Sequence, residues 1–230
     1  MADGVKVRRL PRVVRERQMM DAAVTCFARH GYQSASMDEI AELAGVSKPL
    51  VYLYLGSKEE LFTACIRREA GALLAAVAAG VEDRSRPADE QLWAGLLAFF
   101  TYVADHPDAW VVLSRRAWTQ GEPFAGEASR MREEIAAFVA GLIGDVHGGV
   151  AGPGVEVRGG GAGPDPDVHG GGVGRGVDAL ALALVGAAES LADWAAETPG
   201  TTARDTAATL MNFAWAGLGN LVKSERWSPP

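Results

Sequence analysis

The sequence predicts an all-α fold, on three observations. Strand signals are nearly absent, alanine and leucine abound, and apolar residues recur at helical spacing in one segment after another. Two S-x-x-E capping boxes, Ser36–Glu39 and Ser57–Glu60, mark helix starts. Glycine or proline stands where the helical patterns stop. The expectation is about nine helices, three of them in a compact N-terminal head and the rest in a helical body.

The first helix shows an apolar face at Met20, Ala23, Val24 and Phe27, with Pro11 suited to its first turn and Gly31 to its C-terminal cap. A short second helix, MDEIAELA, starts from Ser36 and stops at Gly45. Ser47 is expected to cap a third helix, KPLVYLYL, whose Pro49 falls in the first turn, where no backbone donor is missed. That helix ends at Gly56, and the second capping box opens a long fourth one, LFTACIRREAGALLAAVAAG. The body continues with helices over about residues 88–104, 108–119 and 124–146, the first stopped before His106-Pro107 and the second by Gly-Glu-Pro. Residues 147–177 hold 13 glycines and three prolines without apolar periodicity, which predicts a flexible insert. Two helices, about 178–197 and 201–222, close the chain, joined by Thr198-Pro199-Gly200, and no internal repeat is visible.

With 230 residues, 48% of them apolar, the chain is globular and long enough to bury a core. No apolar run approaches about 18 residues without a charge, so no membrane span is expected. Basic residues near the N-terminus lack the apolar block and cleavage site of a secretion signal. Cys26 and Cys65 fall in helical segments, with no CxxC or Cys/His cluster, which suggests packed thiols in a cytoplasmic protein and no metal. The net charge of -7 is unevenly spread: residues 1–60 carry nine Lys/Arg against eight Asp/Glu, and the first 17 carry six against two. A locally basic arm on a near-neutral head can meet phosphates even though the body is acidic.

Met37 to Tyr54 fits a helix-turn-helix position by position. Ala41 is small where two helices would cross, Gly45 occupies the turn, and Ile40, Ala44, Val46 and Val51 are apolar at the packing positions. In that motif the second helix enters the major groove. Successive helix positions point about 100° apart, so Val51, Leu55, Tyr52 and Tyr54 cannot share one narrow buried face; at least one tyrosine is expected at the surface. The arm offers Arg8, Arg9 and Arg12 for backbone or minor-groove contact, or else it is a solvated tail.

The stretch GYQSASMDEIAELAGVSKPLVYLYLGSKEELF resembles the DNA-binding head of TetR-family transcriptional regulators. The glycine-aromatic pair, the Ser-started second helix, AGVSK, Y-x-Y and SKEEL fall in that family's order, over roughly Met20 to Phe62. The closing helices resemble the family's dimerisation pair. The resemblance implies a helix-turn-helix domain over residues 1–56 and an effector-binding and dimerisation domain over 57–230. It further implies a homodimer on double-stranded DNA, most often a repressor released from a palindromic operator by a small molecule. Lys48, Pro49 and Leu50 would sit near base edges, Tyr52 and Tyr54 near bases and phosphates, and Ser36, Ser47 and Lys58 on phosphates. Where the family often has Gly-Thr or Ala-Thr, this chain has Pro49-Leu50, which leaves fewer polar groups for readout.

In the body, large apolar residues are either core or the lining of a cavity for a hydrophobic effector. The resemblance favours Phe99, Phe100, Val103, Leu113, Trp118, Phe138 and Trp194 as that lining. Glu189 would orient a ligand or stand as a rim charge. An enzyme is not expected: no G-x-x-x-x-G-K-[ST], G-x-G-x-x-G or G-x-S-x-G occurs, and His30, His106, His147 and His169 lack metal-ligand spacing. No cofactor is called for. The competing expectation is a helical module whose head docks protein instead of DNA.

Overall fold

The computed structural model describes residues 11–114, 124–148 and 171–222. These residues form nine helices and no strand. In chain order they are α1 (Arg12–Ser34), α2 (Met37–Leu43), α3 (Lys48–Leu55), α4 (Lys58–Gly80), α5 (Ala88–Asp105), α6 (Pro107–Leu113), α7 (Phe124–Gly148), α8 (Gly171–Glu197) and α9 (Ala203–Val222). The chain divides into two compact units. One comprises Met1–Ala72 and His106–Ala128, the other Leu73–Asp105 and Ser129–Pro230.

The first unit is built on α1. Met19, Ala23, Val24, Cys26 and Phe27 form its buried face, as the helical spacing requires. Against it pack α2 through Met37, Ile40 and Ala41, α3 through Val51, and α6 through Ala109, Trp110, Val112 and Leu113. Thr25 donates a hydrogen bond to the Asp108 carboxylate at 2.9 Å, tying α1 to the first turn of α6. An aromatic cluster completes this core. The Phe62 ring meets Phe27 and Phe124 edge-on at 4.7 and 4.8 Å, and Tyr32 lies 4.4 Å from Phe124. Phe124 is the first residue of α7, so the start of α7 is anchored in the same core as α1 and α4. Arg67 forks onto both oxygens of Glu127, at 2.6 and 2.9 Å, and clamps α4 to that same first turn.

Three joints depart from the expectations. Gly31 does not end α1; it kinks it (φ 70°, ψ 169°), and the chain closes one more turn to Ser34 through Ala35 N–H to Gly31 O at 3.1 Å. At α2, Ser36 accepts from the Asp38 amide at 3.2 Å, but the other half of the capping box is not made, because Glu39 turns to His30 at the end of α1, 3.0 Å away. At α3, the Ser47 side chain makes no capping bond. Proline at the second helical position removes one of the amides a cap would serve, and the next amide, of Leu50, bonds the Ser47 carbonyl at 2.9 Å.

In the second unit α5 and α9 form the main helix pair, with α8 packed on both. Leu96, Phe100 and Val103 on α5 and Thr206, Ala207 and Leu210 on α9 are buried. From α8 the buried residues are Ala181, Val185, Ala188 and Ala192, a stripe at spacings of four, three and four. A Cβ on Gly80 would lie 2.8 Å from the Ala98 methyl, so glycine allows the end of α4 to approach α5 closely. Arg132 of α7 pairs with Glu189 of α8 at 3.0 Å, which fixes Glu189 as a structural partner of α7. The stretch Gly176–Glu197 of α8 has the length and a mean hydropathy of 1.4 that a membrane-crossing helix would have. The rule of an uninterrupted apolar run misses it because isolated acids interrupt the sequence.

α6 is described as far as Leu113, and the rest of the helix expected to reach Thr119 lies outside the described residues. Of the expected insert, 149–170 lies outside them as well, and α8 begins at Gly171, seven residues before the expected start. Extending a formed helix is far less costly than nucleating one, so glycines can be carried on its leading end. Cys26 and Cys65 are both buried thiols, and burial pushes Cys65 up to about 12, far from a reactive thiolate at neutral pH.

The joint between α3 and α4 generates two predictions. Gly56 has φ 72° and ψ −145°, and a Cβ there would collide with the Glu60 carboxylate. Gly56→Ala should therefore destabilise the protein by about 1–3 kcal/mol in urea unfolding. Here the capping box is complete: the Ser57 amide donates to Glu60 at 2.7 Å, and the Glu60 amide to the Ser57 hydroxyl at 3.1 Å. Hydrogen bonds from the Ser57 amide, then its side chain, hold the Glu60 carboxyl below the ordinary glutamate range. A lowered folded-state pKa contributes stability that is present above the unfolded-state value and lost as pH falls through the folded one. Melting temperature followed from about pH 5 towards pH 3 should fall less steeply in Glu60→Gln than in the parent, which this linkage requires.

Candidate nucleic-acid interface

The site is the outer face of α2 and α3, and burial of a single residue orients it. Val51 is fully buried, and it is the one buried residue of α3. At about 100° per residue, positions two before and two after Val51 point almost opposite to it. Pro49 and Leu53 occupy those positions and are exposed, Leu53 at 76%. Tyr52 stands beside them, 46% exposed, and Leu50 is half-buried on the other flank. Ile40 and Ala41 of α2 are buried beneath, and Ala44 and Val46 are partly so. Between the helices Gly45 has φ 66°, and the Val46 amide returns to the Ala41 carbonyl at 2.9 Å, closing the turn.

The two tyrosines part company. Tyr52 faces outward, whereas Tyr54 is half-buried with the Arg12 guanidinium 5.1 Å above its ring. Two residues apart on a helix, they point about 160° from each other. Arg12 thus connects the start of α1 to the end of α3. Arg8 and Arg9 lie outside the described residues.

The polar positions are engaged locally. Ser36 is bonded to the start of α2, while Ser47 is exposed beside the start of α3. Lys58 donates to the Gln33 carbonyl at 3.0 Å and lies 4.8 Å from the centre of the Tyr32 ring. Lys48 reaches across to Asp38 at 2.9 Å, and this contact holds its ammonium above the ordinary lysine range. Both ends of that pair are solvent-exposed.

Two residues of this surface were not singled out by the sequence reading. Leu53 is the most exposed large apolar side chain of α3. Counting its 200° from Val51 would have identified it. Asp38 is the other, since nothing in one sequence reports that Lys48, ten residues on, folds back onto it.

The described residues expected to line an effector cavity divide between the two units. Phe100 and Val103 are buried on α5; Phe99 and Phe138 are half-buried in the same unit. Leu113 belongs to the other unit, buried on α6. Trp194 is 51% exposed, two residues from buried Ala192 and so on the opposite side of α8. Trp118 lies outside the described residues. No group of three or more His, Cys, Asp or Glu among the described residues is placed to hold a metal ion.

Comparison with known proteins bears on both halves of the chain. Residues 19–65 match the family model of bacterial regulatory proteins of the tetR family, and residues 88–157 that of a tetracyclin repressor-like C-terminal domain. A TetR-like transcriptional regulator from Rhodococcus sp. RHA1 has the same fold, with a TM-score of 0.70 and 36% identity over 92% of this chain and 99% of that one. The HTH-type transcriptional activator FasR of Mycolicibacterium smegmatis is 39% identical over 95 residues, 41% of this chain and 43% of that protein. The HTH-type transcriptional repressor SCO4008 of Streptomyces coelicolor is 31% identical over 125 residues, 54% of this chain and 61% of that protein. The matched part thus spans about half the length of these curated relatives.

Proposed function

Because this chain belongs to the TetR family of bacterial transcriptional regulators, we propose that it is a homodimeric, ligand-responsive repressor, released from a palindromic operator by a hydrophobic small molecule. One observation carries the DNA-binding part. The second helix of a helix-turn-helix turns Pro49, Tyr52 and Leu53 to solvent while Val51 is buried. Exposing a proline, a tyrosine and a leucine on one small face is costly unless something covers them. The thymine methyl and the base edges of the major groove are surfaces that such groups fit. Residues 1–56 form the reading domain in this proposal. Lys48 and Leu50 flank the reading face, and Ser36, Ser47 and Lys58 approach phosphates. Tyr54 acts through Arg12, which carries the basic arm with Arg8 and Arg9 towards the backbone.

Residues 57–230 form the sensing and pairing domain. Leu182, Trp194 and Phe213 on α8 and α9 are 51%, 51% and 75% exposed, and a second copy of the same helices would cover them. A two-fold dimer sets two copies of α3 about one turn of DNA apart, or a multiple of it. An effector among the aromatic residues of α5 and α7 would bias α4, which contributes Lys58–Ala72 to one unit and Leu73–Gly80 to the other. Its effect is a shift between two populations that differ in operator affinity. Repression needs nothing beyond occupancy of the operator. The regulators cited above include an activator and a repressor, so transcription in the presence and absence of the protein decides the sign.

The deciding experiment is selection of bound duplexes from a random pool, repeated with apolar candidate effectors. A near-palindrome should emerge, and an effector that raises the melting temperature should weaken the shift. Recovery of no enriched sequence would remove the operator-binding reading. On the selected duplex, Tyr52→Ala and Leu53→Ala should each weaken binding about tenfold, or ~1.4 kcal/mol, in fluorescence anisotropy. On a scrambled duplex the same variants should bind as the parent does. Sedimentation at micromolar concentration should show a dimer, and Phe213→Glu should shift it towards monomer; a parent that sediments as monomer would sink the dimer.

A further inference from the structure

Lys48 is the one cationic side chain on α2 and α3, and α2 carries three carboxylates, Asp38, Glu39 and Glu42. Glu39 is taken up by His30 at 3.0 Å. Asp38 stands in the first turn of α2 and Lys48 in the first turn of α3, and their side chains bridge the motif at 2.9 Å. The arrangement suits both helices. A carboxylate in the first turn of α2 is favoured by the helix dipole, whereas an ammonium in the first turn of α3 is disfavoured by it, and Asp38 offsets that penalty. The single cation that the motif could give to a phosphate is therefore already partnered from within.

Resting on the DNA-binding reading above, we propose that Asp38 is a positioning residue, which holds Lys48 back from the DNA backbone and so lowers the charge-driven affinity for DNA of any sequence. Each lysine that settles on a phosphate releases counterions and raises affinity for every sequence alike, with a salt slope of about 0.9 per contact. Selectivity is the ratio of specific to non-specific affinity. A contact that raises both affinities by the same factor leaves that ratio unchanged, so withholding it lowers the charge-driven affinity for every duplex and leaves selectivity to the other contacts. The apolar face of Pro49, Tyr52 and Leu53 then reads sequence with less background from charge.

The test uses the full chain, a duplex recovered by selection and a scrambled duplex of equal length, with binding measured by anisotropy across a salt series. Circular dichroism melting checks that each variant is folded. Lys48→Ala should leave the salt slope on the scrambled duplex unchanged. Asp38→Asn should steepen it by about 0.9 and tighten scrambled-duplex binding roughly eightfold near 0.1 M salt, the gain of one phosphate contact. Its gain on the selected duplex should match that on the scrambled one. Asp38→Asn combined with Lys48→Ala should return to the slope of Lys48→Ala alone. The assignment is overturned if Lys48→Ala already flattens the slope by about 0.9, since Lys48 would then sit on a phosphate in the parent. It is also overturned if Asp38→Asn tightens binding equally with and without Lys48, which is plain repulsion by the carboxylate. A parent that binds neither duplex would defeat the DNA-binding reading itself, a result distinct from both.

Discussion

The surface of the head depends on the burial of Val51. Val51 is the one buried residue of an eight-residue helix, and it marks which face of that helix turns inward. With Val51 seated over Ile40 and Ala41, Pro49 and Leu53 point outward, Tyr52 follows them, and Tyr54 swings back beneath Arg12. The same rotation places Lys48 within reach of Asp38. A polar residue at position 51 would cost more than its own burial, because every outward side chain of α3 takes its direction from that contact.

A second constraint acts at the base of the head. Phe124 enters the aromatic cluster of Phe27, Tyr32 and Phe62, and Glu127 locks onto Arg67. Two turns of chain remote in sequence, the first of α7 and the middle of α4, are thereby joined to α1. The compact unit accordingly runs through Ala72 and takes in residues 106–128. Capping signals report where helices start; they carry no information on which later helix returns to pack on an earlier one.

The second unit distributes its apolar residues in two directions. The α8 stripe from Ala181 to Ala192 is turned inward, while Leu182 and Trp194 on the same helix and Phe213 on α9 are turned out. Small residues inside and large ones outside is the reverse of an ordinary core helix. It follows from close packing: alanine at three of four successive inward positions, with valine at the fourth, lets α8 approach its neighbours and leaves the bulky groups with no place in that interior. Trp194 takes its outward side from its two-residue offset from Ala192.

The sequence by itself determined the helices, their order, the turn at Gly45 and the family to which they belong, because caps, breakers and apolar periodicity are local signals. It also determined that Val51 packs, and hence in principle which residues of α3 face out. Only the tertiary structure decided that Glu39 serves His30 instead of its own helix start, that Tyr54 lies under Arg12, and that Phe124 anchors α7 on the head. It also decided that Lys48 belongs to Asp38. Each of these is a contact between groups nine or more residues apart, whose partners are chosen by how helices cross. No local propensity encodes that choice.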